Sequence, residues 1–308
     1  MFGIGLLGGL GYGMMFLTAI MLVSLNSKKS RGLATCLVST GSNLGIIILT
    51  PLVNFVIHEY GWRESLYMLA GITGPCIFLS LLIQSPEAQA HEERSCLIET
   101  EHEQEKVKKG SFINHPGYLL YSIGTIIGMG ANMIPVLYLQ EYLEDHFHFM
   151  WWERSSVIVT LQVATTMSVL AIGLGINHDS ISPTVACSLL WGCKGFANLL
   201  MVYFASFKFD FIPYLFSVLY GFSGATSAMK SLVLIELLGI DRLQESFSTM
   251  MVVTGLTKIG FPFLTLAISQ YFKKAELAFL ISCLGTMTAA AFILCSYFVS
   301  VRKPSTKN

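Results

Sequence analysis

Nine apolar runs dominate this chain, at 2–25, 33–57, 64–84, 116–139, 155–176, 183–205, 212–238, 247–271 and 275–300. Each is long enough for a helix, rising about 1.5 Å per residue, to cross a hydrocarbon core of roughly 30 Å. Composition agrees: hydrophobic residues make up 53% of the chain and charged ones 12%, with the charges clustered rather than spread as on a soluble surface. The pattern predicts an all-α, polytopic membrane protein with about nine transmembrane helices. The first run is not a signal peptide: it lacks a basic leader, its apolar stretch is too long, and a short turn leads into another run. Its Gly3-Ile4-Gly5-Leu6-Leu7-Gly8 fits a dinucleotide fingerprint, yet no strand precedes it and no acidic residue stands about 20 positions on. Those glycines are better read as points of close helix approach.

Three lysines break the apolar pattern. Lys194, Lys230 and Lys258 each stand inside a run, and no aspartate or glutamate lies near the middle of any run. An ammonium at a helix centre costs about 2.5–3.5 kcal/mol on insertion scales, so it is aimed at a cavity or a counter-charge. With no resident carboxylate, the expected counter-charge is a substrate. Lys194 is central, beside Gly192 and Gly195. Lys258 is also central, four residues before Pro262, where a freed carbonyl would share the site. Lys230 stands roughly 7 to 8 Å past its span's centre, so snorkelling to the headgroups along its four-carbon stem is an open alternative there.

Other polar residues fall at similar depth. Asn132 and Tyr138 bracket Pro135, a predicted kink whose freed backbone would face a cavity. Tyr220, Ser223 and Ser227 are spaced by three and four, on one helix face that Lys230 continues. Serines that only permit close helix packing are the alternative. Asn43 and Asn54 are weaker candidates of the same kind.

Basic residues in the connections set the topology. Alternate connections hold Lys28, Lys29 and Arg31, then Arg94, Lys106, Lys108 and Lys109, then Arg242, then Arg302, Lys303 and Lys307, eleven in all; the other set holds Arg63, Arg154, Lys208, Lys273 and Lys274, which is five. The first set is therefore predicted to face the cytoplasm, with the C-terminus inside and Met1 outside. Arg31 is read as a topological or gating residue of the first cytoplasmic turn, and Arg63, after Trp62, as an interface anchor. A polar connection at 85–115, carrying seven glutamates, is expected to be a cytoplasmic, partly disordered linker. It divides the chain into a three-span bundle at 1–84, a six-helix bundle at 116–301 and a cytoplasmic tail at 302–308.

The same inventory excludes other classes. Six of the seven cysteines fall within spans and Cys96 lies in the linker, so no disulfide framework is expected. His146 and His148, after Glu144 and Asp145, read as a solvated outer loop rather than a metal site. No serine or cysteine nucleophile has a partnered base, and no carboxylate pair lies at membrane depth, so an enzyme is not expected. No cofactor is expected.

Several motifs resemble the monocarboxylate transporter family. Lys29-Ser30-Arg31-Gly32-Leu33-Ala34, then Ser39-Thr40-Gly41-Ser42, Pro51 and Gly61-Trp62-Arg63 are similar to that family's fourth-to-sixth helix region. Gly239-Ile240-Asp241-Arg242 and Phe261-Pro262-Phe263 fall where the family has a glycine-led loop and a Gly-Pro-Pro turn. Gly175-Ile176-Asn177-His178-Asp179 resembles a loop motif of the wider major facilitator superfamily. The resemblance implies a major facilitator-type helix bundle that transports small organic anions such as monocarboxylates by alternating access, at the plasma membrane, as a symporter. Its implied partners are the anion, a proton, membrane lipids and a single-span glycoprotein, with no nucleic acid.

The chain also departs from the family. If 33–57 corresponds to the fifth helix, three helices expected upstream are missing. The family's eighth helix carries an aspartate and an arginine, whereas Val157 to Ile176 has no ionisable side chain; Thr166 and Leu170 are the counterparts. The resemblance makes the helix of Lys194 the ninth, a peripheral one, whereas those of Lys230 and Lys258 line the cavity. The predicted order of importance is therefore Lys258, Lys230, Lys194, with Asn132, Tyr220, Ser223 and Ser227 completing the substrate site. Two alternatives stand beside the carrier: a non-transporting truncated isoform, and a membrane scaffold that uses the acidic linker as its interaction surface.

Overall fold

A computed structural model describes residues 8–16, 31–82, 115–176, 182–205, 207, 209–239, 242–272 and 276–301. Residues 9–16 are helical. The helices that follow are α1 (Arg31–Glu59), α2 (Trp62–Leu82), α3 (Pro116–Phe147), α4 (Trp151–Ile176), α5 (Pro183–Ala205), α6 (Ile212–Phe222), a 3₁₀ segment (Ser223–Ser227), α7 (Met229–Leu238), α8 (Leu243–Phe272) and α9 (Glu276–Val301). Among the described residues there is no strand. Among the described residues six helices are long and apolar enough to cross a membrane, and a seventh span arises if α6 and α7 are joined across their bend of 43°. Of the nine expected runs, the first is described only at residues 8–16, and α2 coincides with the third, its side chains from Cys76 onward lying outside the description. Residues 85–114 of the linker and the tail at 302–308 also lie outside the described residues.

Large apolar side chains cover the outer surface of the bundle: Leu189, Tyr203, Met167, Leu256 and Leu284 are each exposed by 64% or more. Lipid solvates such a surface as water cannot. Between the helices the spacing is set by small residues. A Cβ on Gly128 would stand 2.8 Å from Ala289 of α9, and one on Gly285 2.5 Å from the Cβ of Ala131, so α3 and α9 meet backbone to backbone. α9 also packs along α5, α8 along α3, and α1 against α4. At that last contact Asn54 Nδ2 donates to Ser155 Oγ at 2.8 Å, and the His58 ring stacks on Trp151 at 5.4 Å.

The buried apolar residues form two clusters, one toward each end of the bundle. The first gathers Tyr118, Tyr121 and Met129 of α3, Trp191 of α5, Met229 and Val233 of α7, Phe247 and Met250 of α8, and Ile293 of α9. The second gathers Leu139, Tyr142 and Leu143 of α3, Val157 of α4, Met201 of α5, Phe216 and Tyr220 of α6 and Phe279 of α9. Along α3 the clusters leave a gap after Met129 and before Leu139; along α5, after Trp191 and before Ala197. Asn132 and Lys194 occupy those gaps.

Candidate functional site

The expected single helix at 212–238 is interrupted in its middle. Gly221 presses on α4 so closely that a Cβ there would stand 2.3 Å from the Leu161 carbonyl oxygen, and one on Gly224 would meet Thr165 at 2.5 Å. The chain crosses this contact as a 3₁₀ turn, then resumes as α7 on a new axis. Irregular backbone at membrane depth is tolerated where protein buries it, and Ser223, Ala225 and Thr226 are all buried. The interruption changes which residues share a face. Tyr220, Ser223 and Lys230 turn inward, whereas Ser227 is exposed and its hydroxyl donates to Gly224 O at 3.2 Å. The regular three-and-four spacing that placed Ser227 with them assumes an unbroken α-helix, so Ser227 is corrected to the outer face. Ser223 is inward, but its hydroxyl donates to the Tyr220 carbonyl at 2.6 Å and serves the turn itself.

Lys194 sits at the centre of the polar layer, 4% exposed, rather than on a peripheral helix face. Its Nζ donates to Asn132 Oδ1 at 2.8 Å and to Thr226 Oγ1 at 3.1 Å. The ammonium also lies over two aromatic faces, 4.9 Å from the Trp191 ring centroid and 5.4 Å from that of Tyr220, inside the roughly 6 Å reach of cation–π attraction. The Tyr220 hydroxyl in turn donates to Asn132 Oδ1 at 2.8 Å and approaches Asn132 O at 3.2 Å. One amide oxygen thus joins α3, α5 and α6, and every partner of the lysine is neutral.

Pro135 explains why α3 offers free acceptors at this level. Having no N–H, it leaves the Ala131 carbonyl one turn back without its helical donor. Ser282 of α9 supplies the replacement, donating to Ala131 O at 2.9 Å, and Asn198 Nδ2 of α5 donates to Ser282 Oγ at 3.0 Å. The Asn198 Oδ1 atom is buried without a partner among the described residues. Trp191, Thr226, Asn198 and Ser282 therefore belong to the layer as well. The first and third carry a sequence signal, standing at −3 and +4 from Lys194 on the same face of α5; the other two become visible only through tertiary contact.

The remaining lysines approach this layer from α7 and α8. Lys230 is 5% exposed, and among the described residues it makes no hydrogen bond or ion pair. Lys258 is half-buried. It follows Met250 and Thr254, both buried, at spacings of eight and four, which puts it on the α8 face turned toward Met229 and Val233 of α7. Pro262, buried one turn beyond Lys258, withholds an N–H from the Lys258 carbonyl, and its own carbonyl accepts from the Tyr138 hydroxyl at 3.3 Å. Carboxylates stay at the helix ends: Glu236 accepts from Thr184 N at 2.9 Å and from the Ser182 and Thr184 hydroxyls at 2.6 Å each, and Glu144 pairs with Arg154.

Arg63 and Arg31 lie away from the layer. The exposed Arg63 guanidinium stands 5.2 Å over the Trp62 ring. Arg31 opens α1, and its side chain lies outside the described residues. Gly239 ends α7 with φ +81°, a conformation side chains rarely adopt, so the glycine-led loop has a backbone reason for its first residue.

A family model described as Major Facilitator Superfamily matches residues 1–236. Among curated proteins, Monocarboxylate transporter 4 of Gallus gallus is 20% identical over 97% of this chain and 63% of its own length. Monocarboxylate transporter 13 of Rattus norvegicus is 23% identical over 78% of this chain and 54% of its own, and Monocarboxylate transporter 14 of Mus musculus 35% identical over 22% and 14%. The chain thus spans less than two thirds of the length of these relatives. The helical architecture fits, and the family match covers most of the chain: the chain belongs to the major facilitator superfamily and is similar to its monocarboxylate transporters.

Proposed function

We propose that the chain is a carrier of small organic anions, working by alternating access, with Lys258 and Lys230 as the electrostatic partners of the substrate carboxylate. The observation that carries this is the charge imbalance within the spans: Lys194 and Lys230 are buried and Lys258 is half-buried, while the described carboxylates stand toward the helix ends. Lys194 has neutral acceptors and aromatic faces for its charge, whereas Lys230 has none, so a bound anion supplies what the fold withholds. Lys194, Asn132 and Tyr220 form a preset polar wall beside the anion, with Ser223 holding the turn that carries Tyr220. The names of the relatives make short monocarboxylates the first substrates to try.

The broken α6–α7 span supports the transport cycle. Its two halves meet at 43° through a 3₁₀ turn at the level of the site, and discontinuous helices of this kind surround midplane sites in carriers. Rocking of a three-span bundle at 1–84 against a six-helix bundle at 116–301 would expose the site alternately, with the 85–115 linker and C-terminus cytoplasmic. Proton coupling, residence in the plasma membrane and a single-span glycoprotein partner complete the proposal. The test is saturable uptake of radiolabelled short-chain carboxylates into proteoliposomes; equal uptake by wild type and by both Lys230→Met and Lys258→Met would overturn the roles assigned here.

A further inference from the structure

The two bundles meet along α1 and α4, and the two ends of that contact differ in kind. α1 packs more extensively on α4, across the division at 85–115, than on its own neighbour α2. Toward the start of α1 the contact is apolar: Cys36 is buried in the first cluster with Val169 of α4, and Val38 and Ile172 pack against that cluster. Apolar contacts are non-directional, so they tolerate a small rotation. Toward the α1–α2 turn the contact is directional. Asn54 Nδ2 donates to Ser155 Oγ at 2.8 Å, and the Trp151 ring lies 5.4 Å from the His58 ring, stacked at 28°, and 6.5 Å from that of Phe55. Each side of this directional contact is tied to its own bundle. The Ser155 hydroxyl donates to Trp151 O at 2.8 Å, Glu153 accepts from Met150 N at 2.8 Å, and Arg154 pairs with Glu144 of α3, so the start of α4 stays with the six-helix bundle. On the other side Tyr60 N and Gly61 N both donate to Val56 O, at 2.9 and 3.1 Å, which joins the end of α1 closely to α2. Parting the two helices leaves the Ser155 proton satisfied and frees only the Asn54 amide, which is already partly exposed. We infer that Asn54 and Ser155, with His58 and Phe55 against Trp151, form a latch that holds the two bundles together at this end and parts when the central site opens to that side, α1 turning about its apolar start. This rests on the alternating-access reading and adds the contact that governs one of its two openings.

Double electron–electron resonance between nitroxides at Tyr60→Cys and Trp152→Cys reads this opening on the full chain in nanodiscs, with the seven native cysteines replaced by alanine. Both labelled positions are exposed and stand beside the latch without belonging to it. Asn54→Leu removes the hydrogen bond and should raise the population with the longer label separation about threefold, the shift that an interhelical hydrogen bond of ordinary strength in membranes supports. Trp151→Leu removes both ring contacts and should raise it by at least as much. Where Trp151→Leu fails to fold, His58→Leu, at an exposed position, removes one ring contact and should shift the population the same way. Asn43→Leu, about three turns back along α1, controls for a general loss of packing and should leave the distribution unchanged. A distribution untouched by Asn54→Leu and by the ring substitutions would overturn the latch, as would an equal shift with Asn43→Leu. No substrate enters this measurement, so the latch stands or falls on label distances and the carrier reading on uptake.

Discussion

Asn132 is where three helices share one oxygen, and substituting it separates two accounts of Lys194. In the first, the lysine is a charged group held by neutral acceptors; in the second, it is a long apolar filler whose nitrogen is incidental. Asn132→Ala removes the 2.8 Å acceptor of Lys194 and the 2.8 Å acceptor of the Tyr220 hydroxyl together. A hydrogen bond to a charged group is worth about 1.5–3 kcal/mol. Thr226 Oγ1 and the two ring faces remain to the ammonium, so a loss of about 2 kcal/mol is expected. Lys194→Met removes the charge itself and leaves Asn132 Oδ1 accepting from Tyr220, so it should be neutral or stabilising, as apolar replacement of a buried charge often is. In the methionine background, Asn132→Ala should then cost only about 0.6 kcal/mol, the usual worth of a hydrogen bond between membrane helices. Reversible unfolding in mixed micelles, run as a double-mutant cycle, measures all three values. Lys194→Met destabilising the protein as much as Asn132→Ala would refute the assignment.

Gly221→Val should destabilise by roughly 1–3 kcal/mol or prevent folding, since its Cβ would collide with the Leu161 carbonyl; thermal unfolding in detergent measures this. Ser282→Ala should cost about 1–2 kcal/mol by orphaning the Ala131 carbonyl that Pro135 already deprives of a donor, seen in the same assay. Glu236→Ala should free the first turn of α5, raising amide exchange at residues 184–187 without altering exchange in α9, because its carboxylate accepts from Ser182 and Thr184. A tag inserted in the 85–115 linker should resist external protease on intact cells, and cleavage from outside would invert the topology.

Helix positions were legible from run length alone, because an apolar stretch of some twenty residues has one structural use. The runs at 183–205 and 275–300 agree with α5 and α9 to within a residue at each end. The interruption of 212–238 was not legible: Gly221 and Gly224 read as ordinary small residues until Leu161 and Thr165 are seen against them. The polar layer was half legible. Asn132 and Pro135 announced themselves as a polar residue beside a kink, and Trp191 and Asn198 share the helical spacing of Lys194. That Lys194 is enclosed follows from packing between α3, α5 and α6, which no local pattern encodes. Ser282 reads like any packing serine until the Ala131 carbonyl is found opposite it.

The central claim is that lysines unpaired within the fold attract the transported anion. Counterflow of a radiolabelled short-chain carboxylate in proteoliposomes, normalised to reconstituted protein, tests it most directly. Wild type should show saturable counterflow, and Lys230→Met and Lys258→Met should each abolish it while retaining the wild-type elution profile. Counterflow at wild-type rates in both substituted proteins would contradict the claim.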